Sequence, residues 1–252
     1  MIVLGIETAT ELVGVAVGDE DGVRAAAWAT GRRRHAETLA PAITHVLELA
    51  GTELREIGAV AVDTGPGLFT WLRVGVATAK ALAQGMGVGV IGVSSLAVLA
   101  HAAFEGGWPG TVAAVVDARR EEVFWAAYRP GGGPGSPPEE LSAPRVDRPR
   151  TLVEALSRPS DGPVSRRPSD GPVLAVGDGA VRYGDLLTGV EGLVLAGPSL
   201  AGPPPASAVA LALHRILGGE VPGPPADVEP RYLRDADARA NWAQRRPVPG
   251  GG

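Results

Sequence analysis

Two carboxylates and one glycine-rich segment are the residues of this 252-residue chain whose types and spacing could do chemistry. Glu7 closes the apolar run Ile2–Ile6 and is followed by Thr8-Ala9-Thr10. A carboxylate with hydroxyls at a strand end can hold a hydrated metal–phosphate, and the same residues can also build an ordinary turn. Asp117, followed by Ala118 and Arg119, ends an apolar run in the other half of the chain. If the two halves share one plan, these carboxylates would face each other across a cleft. The glycine-rich segment is Gly65-Pro-Gly-Leu-Phe-Thr-Trp-Leu-Arg-Val-Gly75. It follows a strand and opens a helix, where free N–H groups and the helix dipole attract anions. It lacks the Gly-Lys-Ser/Thr of a Walker loop and is not Gly-x-Gly-x-x-Gly. Thr70 as helix N-cap offers a structural account of the same residues.

Other chemistries are excluded. There are no cysteines, hence no disulfide framework, thiol nucleophile or thiolate metal site. The histidines are His35, His45, His101 and His214; no two are spaced i, i+4, so no helical metal pair is expected. They read as surface or partner contacts. No Ser/His/Asp set can be argued from spacing. The expectation is therefore no catalytic residue and no metal ligand. The net charge of −5 argues against a chain that holds nucleic acid by itself. The pairs and triplets Arg32–Arg34, Arg119–Arg120, Arg166–Arg167 and Arg245–Arg246 read as solvated surface charge. With no basic leader before the first apolar run and no stretch of about 18 apolar residues, a cytoplasmic protein without membrane contact is expected.

The elements that must position these residues follow from periodicity. Ile2–Ile6, Val13–Gly18 and Val23–Trp28 read as a three-stranded meander with Asp21–Gly22 as a hairpin turn. Leu39, Ile43, Val46, Leu47 and Ala50 make one apolar helical stripe ending at Gly51, with Pro41 either kinking this helix or starting a new one. Then come a strand at Ala59–Asp63, a helix at Trp71–Gln84, a strand at Val88–Val93 and a helix N-capped by Ser94 or Ser95. The second half gives strands at Val112–Asp117, Glu122–Tyr128 and near Leu141–Val146, a helix at Thr151–Leu156, a strand at Val173–Gly177 and a helix at Ala206–Leu217. The shared β-β-β-α-β-α order predicts a duplicated α/β fold in two lobes, 1–105 and 106–235, with a tail at 236–252; the helix at 206–217 could pack back on the first lobe. Pro130–Pro138 reads as a loop tip, and Arg158–Val164, repeated as Arg167–Val173, as a surface insertion.

Taken together, these motifs resemble the TsaB (YeaZ) family of the actin-like ATPase superfamily. Ile6–Thr10 is similar to its Asp-Thr-Ala/Ser-Thr strand end, and His35, Leu39 and Pro41 to its first helix. Gly65–Gly75 is similar to its Gly-Pro-Gly-Ser-Phe-Thr-Gly-Leu-Arg-x-Gly signature. Ile91–Leu96, Asp117–Phe124 and Pro230–Arg234 complete the likeness, which spans nearly the whole chain. The resemblance implies a two-lobed actin-like, ribonuclease H-like fold. It also implies a non-catalytic dimerisation subunit that binds and activates TsaD for threonylcarbamoyl transfer to the adenosine beside the anticodon of tRNAs. The implied partners are TsaD, TsaE and, through the complex, tRNA, with ATP and metal on TsaD and TsaE and none bound tightly here.

The implied interface comprises His35, Leu39, Ile43, Val46, Leu47, Phe69, Trp71, Leu72, Gly75, Ala79 and Ala83, which would also support a homodimer when the chain is alone. The same stripes could instead face the protein's own core. Glu7, Thr8 and Asp117 would form a vestigial nucleotide site. Glu7 stands where the family has Asp, Leu68 where it has Ser, Trp71 where it has Gly and Glu121 where it has Gly, all of which weigh against tight ATP binding. The competing reading is a self-sufficient ATPase or kinase using Glu7 and Asp117.

Overall fold

A computed structural model of the chain describes residues 1–31, 35–133, 135–157 and 171–234. Arg32–Arg34, Arg166–Arg167, Arg245–Arg246, nearly all of the repeated segment and the tail lie outside the described residues, as does the side chain of His35.

The first lobe is β1 (Ile2–Glu7), β2 (Leu12–Asp19), β3 (Gly22–Thr30), α1 (His35–Leu49), β4 (Ile57–Asp63), α2 (Phe69–Met86), β5 (Gly89–Val93) and α3 (Ser95–Glu105). Its sheet has the order β3-β2-β1-β4-β5. β1 runs antiparallel to β2 and parallel to β4, which is parallel to β5. A meander followed by helical crossovers dictates this mixture, because parallel neighbours need a crossover. One helix, α1, runs through Pro41. Thr70 is not the cap of α2: the helix starts at Phe69, and Leu68 precedes it without a side-chain cap. Gly87 ends α2 in the left-handed conformation.

The second lobe repeats the plan. Its elements are β6 (Val112–Arg119), β7 (Glu122–Arg129), the short β8 (Glu139–Glu140) and β9 (Arg145–Asp147), α4 (Pro149–Ser157), β10 (Val173–Val176), α5 (Asp178–Arg182), α6 (Gly184–Leu187), β11 (Leu193–Leu195) and α7 (Pro205–Leu217). The order is β11-β10-β6-β7-β8, with β9 also on β7. Read from the edge formed by β8 and β9, this is the strand order of the first lobe. The third strand expected near Leu141–Val146 is split into β8 and β9.

The layers are exchanged between the lobes. α1 and α2 cover one face of the first sheet. The other face is covered by α7, whose Val209 and Ala212 pack with Val3, Ala16, Ala59 and Ala61. In return Leu96, Leu99 and Ala103 of α3 pack on Val112, Ala114 and Phe124 of the second sheet. Gly5 makes the α7 contact feasible: a Cβ there would lie 2.5 Å from Val209 Cγ2 and 3.3 Å from the Pro205 carbonyl oxygen. A division at 105/106 therefore separates elements in sequence that share cores in space.

Candidate functional site

Parallel pairing of β1 with β4 sets Ile6 beside Val62, and so brings Glu7 next to Asp63 at the strand ends. Both are fully buried. Glu7 Oε1 accepts from the Ala9 N–H at 2.7 Å. Asp63 Oδ1 accepts from the Gly65 N–H at 2.6 Å and from Ser95 Oγ at 2.7 Å. The second oxygens, Glu7 Oε2 and Asp63 Oδ2, are left to each other. Burial, then the Asp63 charge and the hydrogen bond to Asp63, hold the Glu7 carboxyl well above the ordinary glutamate range. Burial raises the Asp63 carboxyl as well, so the two groups are suited to sharing a proton between their facing oxygens. A carboxyl used in this way is not directed at a nucleotide.

The glycine loop is filled from below by the β1–β2 turn. The Leu68 N–H donates to the Ala9 carbonyl at 2.9 Å. A Cβ on Gly67 would sit 2.3 Å from that same oxygen. Thr8 Oγ1 donates to the Trp71 carbonyl at 2.9 Å, and a Cβ on Gly75 would lie 2.2 Å from Thr8 Oγ1. The amides of Gly65 and Leu68 are therefore consumed inside the protein, and the glycines admit its own backbone. This is a different cause from the crowding by Leu68 and Trp71 expected from sequence. Those two side chains instead line an open cleft.

Asp117 is nearly buried and is held by Arg119: the Arg119 N–H and Nη1 donate to its two oxygens at 2.9 Å each. Arg182 Nη1 lies 3.5 Å from Asp117 Oδ2. Arg119 Nη2 also donates to Glu11 Oε1 at 2.7 Å, tying the lobes together. Glu7 and Asp117 are therefore each engaged by separate partners. Nor is Arg119 a freely solvated charge. Asp178 Oδ1 accepts the Asp117 N–H at 2.8 Å, and burial, with the nearby Asp117 charge, pushes its carboxyl up to about 6.

The cleft itself is about 650 Å³, bounded by Glu11, Leu68–Trp71, Ala118, Arg119, Arg182 and Arg234. The C-terminal segment forms one wall. The Arg231 N–H donates to the Thr64 carbonyl at 2.7 Å. The Tyr232 ring packs on Phe69 with centroids 4.9 Å apart, and Tyr232 Oη accepts from Arg73 Nε at 3.0 Å. Arg234 Nη1 donates to Glu122 Oε2 at 2.7 Å. Sequence reasoning noted Pro230–Arg234 only as a likeness; its place over the α2 start depends on contacts more than 100 residues apart in the chain, which no local pattern reveals.

Most of the expected interface turns inward. Leu39, Ile43, Val46, Leu47, Ala79 and Ala83 belong to the first lobe's own core, and Leu72 and Gly75 are buried. Phe69 and Trp71 face the cleft. What α1 and α2 offer outward is a second hollow of about 670 Å³, lined by Ala40, Thr44, Leu54, Thr78 and Leu82, with the edges of Ile43 and Leu47 as its floor. His101, expected at the surface, is buried on α3 with Glu105 at 3.5 Å. Among the described residues no cluster of three or more His, Asp or Glu could hold a metal ion, and no helix is long and apolar enough to cross a membrane.

Two sheets of one strand order, facing each other across a cleft with exchanged closing helices, define a duplicated α/β protein of the actin-like class. The family described as TsaD: tRNA N6-adenosine threonylcarbamoyltransferase matches residues 29–157, just over half of the chain, and the chain belongs to that family. It is 39% identical over 129 residues to the tRNA threonylcarbamoyladenosine biosynthesis protein TsaB of Escherichia coli, covering 51% of this chain and 55% of that protein. With TsaB of Haemophilus influenzae the identity is 35%, covering 50% and 53%. The chain thus spans about half the length of the curated relatives it matches. The solved structure of YeaZ from Pseudomonas aeruginosa superposes with a TM-score of 0.76 at 27% identity, covering 92% of this chain and 99% of that one.

Proposed function

We propose that this chain is a non-catalytic accessory subunit in the formation of threonylcarbamoyladenosine in tRNA, docking on a TsaD partner through the groove between α1 and α2. The observation that carries this reading is the contrast between two places on α2. At its start, the Gly65 and Leu68 amides and the Glu7 carboxyl are engaged internally. Along its flank, small and apolar side chains border an open groove. A chain that spends the Gly65 and Leu68 amides of this loop internally and carries an unfilled apolar groove is suited to binding another protein. TsaD gives its name to the family to which this chain belongs, so such a partner would present a related helix pair. Two homologous helix pairs can pack about a pseudo-twofold axis, and the same groove would support a homodimer in the absence of TsaD. ATP and metal would then reside on TsaD and TsaE.

The test is co-purification with TsaD of the same organism. Leu82→Glu and Thr78→Arg place charge in the groove at partly exposed positions, so the fold should survive and TsaD binding should fall by tenfold or more. A folded Leu82→Glu protein that retains TsaD overturns the groove. Depletion of the chain should abolish threonylcarbamoyladenosine on nucleoside analysis; its persistence overturns the accessory role. The isolated chain should bind no nucleotide by calorimetry, and ATP hydrolysis lost on Glu7→Ala would favour the ATPase reading instead.

A further inference from the structure

We propose that the mouth of the interlobe cleft contacts RNA directly, seating an unpaired nucleotide of the tRNA against its aromatic rim with the phosphates on the arginines. The RNA's identity rests on the function proposed above; the site rests on its own chemistry.

Three arginines line the cleft from elements distant in sequence, Arg119 at the end of β6, Arg182 on α5 and Arg234 near the end of the described residues, and Arg73 on α2 packs against its Phe69 wall. The chain as a whole is acidic, with a net charge of −5, so this convergence is local. Aromatic residues are only 4% of the chain, which has three Phe, three Tyr and five Trp. Yet Phe69, Trp71 and Tyr232 stand at this rim and not in a core, forgoing the stability that full burial of such large rings supplies. The Arg73 guanidinium lies 3.8 Å from the centre of the Phe69 ring and donates to the Tyr232 hydroxyl. The result is a stacked guanidinium–aromatic platform of the kind that receives unpaired bases.

The carboxylates facing the site are Glu11, Asp117, Glu122 and Asp178. Asp117 lies beneath the arginines: its side chain is 3% exposed, against 54% for Arg182 and 33% for Arg119. Glu11 and Glu122 each grip one arginine from the side. Such pairing orients a guanidinium while leaving it further donors for phosphate. The β6–β7 hairpin that carries Arg119 holds Arg119, Arg120 and Glu121 all at positive φ, a conformation that non-glycine residues adopt at a cost. A free nucleotide is the poorer occupant, because two of the loop amides that could cradle its phosphates, those of Gly65 and Leu68, are already used.

The experiment uses the full chain and an unmodified tRNA transcript. Binding is followed against salt concentration, both for the chain in complex with TsaD and by ultraviolet cross-linking to the chain alone. Arg73→Glu with Arg182→Glu should weaken tRNA binding by about tenfold or more and lower the salt slope by roughly one to two, with TsaD binding unchanged. Trp71→Ala should reduce cross-linking at the rim. Unaltered affinity and salt slope in the folded double variant would overturn the proposal, as would displacement of the tRNA from the isolated chain by ADP at constant ionic strength. Because TsaD docking is read separately, loss of that interaction marks failure of the accessory-subunit reading and not of the RNA contact.

Discussion

At the scale of single residues, the decisive pair is Glu7 and Asp63. Glu7 was legible as a residue of chemical interest because it ends an apolar strand among hydroxyls. Its partner was not: Asp63 lies 56 positions on and joins it only through the β1–β4 register. The pair makes a prediction about pH. The Glu7 carboxyl is raised in the folded protein, mainly by burial, so the native state keeps a proton that the unfolded chain releases. Its contribution to stability is complete below the unfolded value and is lost as pH rises from about 4.5 through the folded value, with a slope of at most ~1.4 kcal/mol per pH unit for one proton. Glu7→Gln keeps a donor toward Asp63 and an acceptor for the Ala9 N–H without titrating. Denaturant melts across this range should show a flatter pH profile for the variant; an unchanged profile would mean that Glu7 is not the proton carrier.

At the scale of elements, α2 shows what periodicity reveals and what it leaves open. Gly75, Ala79 and Ala83 recur every four residues, which sets them on one small-residue face of the helix. Periodicity identifies a face and does not identify its neighbour, and here the neighbour is the protein's own β1–β2 turn and sheet. The groove that remains outside is lined by Ala40, Thr44 and Thr78, small residues with no stripe to distinguish them. The close approach is testable. Gly75→Ala drives a methyl group into Thr8 Oγ1 and should cost about 1–3 kcal/mol. Thr8→Ala in the same chain should recover part of that loss, since the two sites share the clash. Additive effects in thermal melts would contradict the packing described.

At the scale of the whole molecule, element order alone predicts the duplication, because a meander followed by two crossovers appears in both halves and right-handed crossovers leave few topologies. The exchange of α3 and α7 is less legible. Both helices are apolar over much of their surface, so nothing local assigns either to one sheet. It predicts that a fragment ending after α3 will expose the inner face of its sheet and bind a hydrophobic dye, whereas the full chain melts in one cooperative step. A stable, dye-silent fragment 1–106 would refute this.

The same exchange orders events during synthesis. The first sheet leaves the ribosome well before the helix that covers it, Pro205–Leu217, which follows every strand of the second sheet in the chain. Until that helix emerges, Val3, Ala16 and Ala61 have no permanent cover. The nascent chain must therefore keep an apolar sheet face from other molecules until the second sheet has also been made, which makes early encounter with a chaperone, or with a partner subunit, more consequential for this protein than for one whose lobes close in turn.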